Sequence, residues 1–178
     1  QDPRILPEME MAKRFVKEQI TDKGLEPFRT EPIVFIDPVK TGGLVLPGSV
    51  DCVCRDPKTN EFWIFDWKRS KGLTKTINGR HGYGHSGPFQ SDEDIDYTKY
   101  SIQLHMYRYI MQTYYGLNIP KSHLYMVVFH PKNDNYVMFQ AKDMSDKITW
   151  LIENYQWCIE QSNAAKAQET AYMEWAQG

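Results

Sequence analysis

Residues 48–68 read GSVDCVCRDPKTNEFWIFDWK. Two runs rich in valine, cysteine, phenylalanine, isoleucine and tryptophan, 49–56 and 61–68, flank Pro57, Lys58, Thr59 and Asn60, a connection of turn-forming residues. The pattern predicts a β-hairpin. With residues 57–60 as a symmetric loop, Asp51 falls directly opposite Asp66. Directly opposed side chains stand about 4.5–5.5 Å apart on one face, so two unpaired carboxylates there would repel. A cation between them removes that penalty. Asp66 and Lys68, two apart on a strand, project from the same face while Trp67 points the other way. One face therefore gathers two carboxylates and an ammonium group. Magnesium prefers oxygen ligands and keeps several waters, so such a face, with a backbone carbonyl, suits it. The lysine can then orient a water that the metal has made more acidic, and the metal can neutralise charge building on a phosphodiester.

The flanking sequence is read from the same periodicities. Residues 7–23 follow a helical stripe through Met11, Phe15, Val16 and Ile20, with Gly24 as a stop. Residues 31–37 and 42–47 have strand character around a Gly-Gly turn. Residues 72–91 show neither period and read as a long glycine-rich, basic and aromatic loop, of a length that is functional or disordered in compact domains. Residues 96–115 form a strong helix, with Ile102, Met106, Tyr109, Ile110 and Thr113 on one stripe and Gly116 as its stop. Strands follow at 124–130 and 136–141, then a last helix from about Ser145 carrying Ile148, Leu151, Ile152, Tyr155 and Ile159. The expected class is an α/β or α+β sandwich, helices flanking a mixed sheet. Residues 1–178 read as a single domain, with 160–178 as a helical C-terminal extension. Because the chain starts at Gln1, it reads as cut from a longer polypeptide that could carry further domains.

The ordered set of Gly48, Ser49, Val50 and Asp51, then Phe65, Asp66, Trp67 and Lys68 closing a strand, then Tyr100, Gln103 and Tyr107 on the next helix, resembles the PD-(D/E)XK nuclease superfamily. Within it, the RecB-like, lambda-exonuclease-like branch carries a Gln-xxx-Tyr motif on that helix. Gln103 and Tyr107 are one turn apart and share a face. The resemblance spans about residues 48–115 and implies a restriction-endonuclease-like core. It further implies hydrolysis of DNA or RNA with Mg²⁺ or Mn²⁺, Asp51, Asp66 and the Trp67 carbonyl as ligands, Lys68 as the catalytic lysine, and Gln103 and Tyr107 shaping the site. Family members add an acid or histidine from the first helix; Glu18 is the choice here, with Glu10 and Glu8 behind it. DNA, at ends or on single strands, is the leading substrate. An RNA endonuclease on the same core and a non-catalytic nucleic-acid-binding domain are the alternatives.

Formal net charge is −2, so no global basic surplus marks a nucleic-acid partner. The distribution is uneven: Lys68, Arg69, Lys71, Lys75 and Arg80 precede Gln90 with no acid among them, and Asp92, Glu93, Asp94 and Asp96 follow. Arg69, Lys71, Arg80, Tyr83 and Tyr100 are the candidate substrate contacts; Arg80, His81, Tyr83 and His85 form the combination of cations and rings expected of single-strand binding. Those histidines with His105, or the Cys52/Cys54 pair, give a weaker zinc reading, since the glycines leave no fixed geometry. Cys52 and Cys54 share a strand face and read as core. Cys52, Cys54 and Cys158 are too few for a disulfide framework and fit a reducing intracellular compartment. No run approaches the roughly 18 apolar residues of a membrane span.

Overall fold

The structure, a computed structural model, describes residues 5–36, 43–69 and 87–177. In order, the elements are helix α1 (Leu6–Phe15) continuing into a π-helical segment (Val16–Thr21), strands β1 (Glu26–Thr30), β2 (Ile33–Phe35), β3 (Pro47–Ser49), β4 (Cys52–Arg55) and β5 (Phe62–Lys68), helix α2 (Asp96–Tyr115), strands β6 (Leu124–Val128) and β7 (Val137–Gln140), and helices α3 (Ser145–Glu153) and α4 (Tyr155–Gln177). Five strands form a mixed sheet in the order β1-β4-β5-β6-β7, and β2 and β3 form a separate antiparallel pair. β5 and β6 are parallel; the other neighbours in the large sheet are antiparallel. The class is therefore α/β, with helices on both faces of a mixed sheet.

The hairpin takes the symmetric register its loop implies: Cys52 pairs with Phe65, Val53 with Ile64, Cys54 with Trp63 and Arg55 with Phe62. Its turn closes through Asp56, whose N–H donates to the Glu61 carbonyl at 2.8 Å, and Asn60 takes the left-handed conformation at φ 56° that asparagine tolerates. Strand alternation then splits the core. Val53, Ile64, Leu124, Met126 and Val128 face α2 and α3, with Leu104, Tyr107, Ile110 and Ile148 opposite. Cys52, Cys54, Phe65 and Val127 face the first helix, where Phe15 is fully buried and meets Phe65 and Trp67 edge-on at 5.2 and 5.3 Å.

Several expectations need correction. The first helix is not uniformly α: from Val16 the hydrogen bonds span five residues rather than four, as in Asp22 N–H to the Lys17 carbonyl, and the i−5 pattern recurs from Leu25 N–H to the Ile20 carbonyl just beyond. Along the wider turn Ile20 is buried in the same cluster as Phe15 while Val16 is 46% exposed, so Val16 drops off the predicted stripe. β1 was not expected; all five of its residues are exposed, and it contains Pro27 and a register shift between Pro27 and Arg29, tolerable only on an edge. From the 31–37 run only Ile33–Phe35 is strand, and it pairs with Pro47–Ser49 in the small β2–β3 sheet rather than joining the large one. Helix α2 has the expected bounds and ends on left-handed Gly116 at φ 70°. Its expected stripe is displaced: Leu104, His105, Tyr107 and Met111 are buried with Ile110, whereas Ile102, Met106 and Tyr109 are half-buried and Thr113 is exposed. α2 packs against both the sheet and α3, so two faces are covered and no single stripe describes it.

Candidate active site

β4 begins at Cys52, opposite Phe65, so the last three residues of β5 run past their antiparallel neighbour. On the other side β6 stays paired through Lys68↔Val128, and the Phe129 N–H donates to the Lys68 carbonyl at 3.0 Å. The end of β5 is thus held from one edge and open on the other. Asp51 enters the open edge: its Oδ2 accepts a hydrogen bond from the Trp67 N–H at 2.6 Å. A strand residue turns its N–H and carbonyl to the same edge, so the Trp67 carbonyl faces the side where Asp51 stands.

Asp66 and Lys68 point from this strand end toward α2. Asp66 is 2% exposed and Lys68 pairs with its Oδ2. That oxygen has no other donor among the described residues. Burial pushes the Asp66 carboxyl above its ordinary range; Lys68 pulls it back and the neighbouring Asp51 carboxylate pushes it up again, with a net upward shift. Two acids thus crowd a buried spot with one ammonium between them and helix. Two carboxylates with a backbone carbonyl make a donor set that could hold a hard divalent cation such as magnesium or manganese.

α2 closes the site from above. Lys68 Nζ donates to Gln103 Oε1 at 3.3 Å and lies 4.1 Å from the centre of the Tyr100 ring. Gln103 Nε2 donates in turn to the Tyr107 hydroxyl at 2.7 Å. Burial, and then the Asp66 and Asp51 charges, hold the Tyr107 hydroxyl above its ordinary pKa, so it stays protonated near neutrality. The Tyr107 ring lies against Gly48: a Cβ at residue 48 would stand 2.4 Å from Tyr107 Cε1. The contacts therefore form a circuit, from Gly48 through Tyr107, Gln103, Lys68 and Asp66 back to Asp51, three residues beyond Gly48. Gly48 is thus a site residue beyond those expected from the sequence. The sign available was a small residue three positions before an acid, facing a helix with a buried tyrosine.

The structure thus brings together Asp51, Asp66, Lys68, Tyr100, Gln103 and Tyr107. It does not bring Glu18 to them: Glu18 is exposed on the π-helical segment and accepts from the Tyr136 hydroxyl at 2.6 Å. Glu10 pairs with Lys13 on the surface. Glu8 is the first-helix acid nearest the end of β5, where it pairs with Arg69. Glu8 could have been preferred from sequence, because it lies three, four and seven residues before Met11, Ala12 and Phe15, on the apolar face. Arg69 is exposed apart from this pair. Lys71, Lys75, Arg80, His81, Tyr83 and His85, and with them most of the predicted long loop, lie outside the described residues. Among the described residues no group of three or more His, Cys, Asp or Glu side chains converges as a metal site. Cys52 and Cys54 are buried free thiols 3.7 Å apart at sulfur, and His105 bonds Ser145 Oγ at 3.2 Å. No described helix is long and apolar enough to cross a membrane.

No protein-family model and no curated protein matches the chain. Among solved structures, a Eubacterium rectale protein named "putative exonuclease" superposes with a TM-score of 0.53 at 14% identity, covering 86% of this chain and 51% of its own. The chain thus spans about half the length of that protein. A second structure, SSO0001, gives a TM-score of 0.39 at 12% identity, covering 83% of this chain and 54% of its own, too low a similarity to support an argument. The first likeness is one of fold.

Proposed function

We propose that the chain is a Mg²⁺- or Mn²⁺-dependent nuclease of the PD-(D/E)XK type that hydrolyses DNA, at ends or on single strands. The observation that carries this reading is the meeting of Asp51, Asp66 and Lys68 at the open end of β5, tied by Gln103 to Tyr107. The fold likeness to a protein named as an exonuclease supports it. In this reading Asp51, Asp66 and the Trp67 carbonyl would hold the cation. The bound cation supplies Lewis acidity, acidifying a water and neutralising charge on the scissile phosphate. Lys68, kept in place by the Gln103 carbonyl and the Tyr100 ring, orients the attacking water and faces the developing phosphate charge. Gln103 is itself fixed by Tyr107, so the ammonium has one preferred position rather than a range of rotamers. Water adds to phosphorus and one phosphoester bond breaks, leaving a phosphate monoester end and a hydroxyl end.

The test is incubation with labelled single- and double-stranded DNA and RNA in Mg²⁺, Mn²⁺ or EDTA, beside Lys68→Ala and Asp66→Asn. Cleavage of DNA is expected with metal only, and each substitution should slow it by about a hundredfold or more. Absence of metal-dependent cleavage on every substrate, or cleavage that persists in both variants, overturns the proposal; cleavage of RNA alone reassigns the substrate.

A further inference from the structure

On the opposite side of β5 from Gln103 and Tyr107, an open groove of about 360 Å³ runs between α1 and the strand end, lined by Ile5, Glu8, Met9, Val16, Trp67 and Phe129. It joins a second hollow of about 290 Å³ that shares Ile5, Glu8, Trp67 and Phe129 and reaches Lys68 and Arg69. Volumes of this size accommodate small planar ligands. The walls are apolar and partly aromatic, with the Trp67 and Phe129 rings 5.6 Å apart and tilted by 48°. One polar group is set into them. Glu8 is 13% exposed at its side chain, and both Arg69 contacts, Nε at 3.2 Å and Nη2 at 3.1 Å, fall on its Oε1. Oε2 is left buried with no donor among the described residues.

A buried acceptor without a donor is costly, and a ligand that supplies one removes the cost. The ligand must also be flat and largely apolar to lie against Trp67 and Phe129, and it must belong to a molecule that reaches Lys68. We propose that this groove is a subsite for one unpaired nucleobase of the substrate strand, stacked on the Trp67 and Phe129 rings and read by Glu8 Oε2 through its exocyclic amino group. The inference rests on the proposed nuclease function and specifies the substrate: single-stranded, with an amino-bearing base (cytosine, adenine or guanine) favoured over thymine or uracil at this position. A lone acceptor oxygen takes the N4 amino group of cytosine, the N6 amino group of adenine or the N2 amino group of guanine. Thymine and uracil offer only an N–H between two carbonyls, whose oxygens would face the carboxylate. Stacking alone gives affinity without discrimination. The selectivity thus belongs to Glu8 and the affinity to the rings, and the two can be separated.

The experiment is fluorescence anisotropy with the whole chain in EDTA, using labelled oligo-dC, oligo-dA and oligo-dT of about a dozen nucleotides. Wild type is expected to bind oligo-dC and oligo-dA about tenfold more tightly than oligo-dT. Glu8→Gln, whose amide can donate as well as accept, should abolish the preference without weakening oligo-dT binding. Phe129→Leu, checked for its melting temperature, should weaken all three alike. Equal wild-type affinities, no binding of any oligomer, or a preference that survives Glu8→Gln would each overturn the inference. Because binding is read without metal, a base preference without cleavage would leave the subsite standing and remove the nuclease reading. Metal-dependent cleavage without a Glu8-dependent preference would do the reverse.

Discussion

Replacing Gly48 with alanine tests the circuit of contacts at its tightest point. The added Cβ would meet Tyr107 Cε1 at 2.4 Å, Cδ1 at 3.1 Å and Cζ at 3.4 Å. Carbon atoms attract best at about 3.5–4.0 Å, so the ring must retreat by roughly 1 Å. It has little room: Tyr107 is 6% exposed, packed in the core, and its hydroxyl is held by Gln103 at 2.7 Å. Gly48 is not among the residues with positive φ, so alanine brings no backbone penalty and the whole effect is steric. Overpacking of this kind costs about 1–3 kcal/mol. In a chain of this size that is a fall in melting temperature of roughly 2–12 °C. Cleavage should fall further than stability, by about tenfold or more at a temperature where the variant is folded, because a ring displaced by about 1 Å releases Gln103 and thereby Lys68. The assays are thermal or urea unfolding and single-turnover cleavage on the same preparations. In a Tyr107→Ala background the ring is gone, and Gly48→Ala should cost less than about 0.5 kcal/mol, giving a coupling of about 1–3 kcal/mol between the two sites. A Gly48→Ala protein that melts like the wild type, or two substitutions whose effects simply add, would refute the reasoning.

Other perturbations separate neighbouring contributions. Tyr107→Phe keeps the ring against Gly48 and removes only the acceptor of Gln103 Nε2; unfolding should show a loss of about 1 kcal/mol, and cleavage a several-fold decrease. Asp51→Asn keeps an acceptor for the Trp67 N–H while removing charge, whereas Asp51→Ala leaves that N–H without its partner; both should abolish cleavage, and urea melts should place the alanine variant about 1 kcal/mol lower. Burial lowers the pKa of His105 to about 4, so the folded protein resists a proton that the unfolded chain accepts near 6.5. Stability therefore falls as pH drops below about 6.5 and continues to fall toward 4, by about 2 kcal/mol between pH 7.5 and 5, and His105→Gln should remove that share of the difference in urea melts at the two pH values. Asp92, 3% exposed between Lys142 and Lys147, keeps a lowered pKa: burial opposes its charge, but the two lysines outweigh burial. Asp92→Asn should cost about 1–3 kcal/mol at neutral pH, a deficit that fades as pH falls through the Asp92 carboxyl's depressed value and the wild type loses the same charge.

How much of this was readable in the sequence depended on whether the responsible physics is local. The hairpin register followed from the turn residues 57–60 and strand parity alone, and it put Cys52 and Cys54 on the buried face opposite Asp66. The bounds of α2 followed from its periodicity and from Gly116. Properties set by distant neighbours were not readable. β1 exists because β4 offers it an edge, and five exposed residues around Pro27 carry no apolar signal. The α2 stripe was misplaced because α3, some forty residues downstream in sequence, covers a second face. Glu18 was preferred for its central place in a helix, but the change to π geometry at Val16 shifts the phase of every later residue, and Glu18 ends on Tyr136.

The position of the site follows from an asymmetry in the sheet rather than from the motif residues alone. β5 carries two faces: Trp63, Phe65 and Trp67 stack along one, and Phe62, Ile64, Asp66 and Lys68 along the other, the latter changing from core to charge where β4 stops. If β4 continued, Asp51 would be an ordinary ladder residue and the Trp67 amide would be consumed by a backbone partner. Because the β4 pairing stops at Cys52↔Phe65, a side-chain carboxylate caps the Trp67 N–H, and the Trp67 carbonyl faces the same unpaired edge. Because β6 continues to Val128, the strand end remains rigid despite losing its other neighbour. Edge opening on one side and parallel pairing on the other thus leave the end of β5 open along one edge yet held along the other. The same strand end gives the Trp67 ring to the groove beside Glu8 while its backbone serves the opposite edge, so a base seated in that groove would be held within one residue of Lys68.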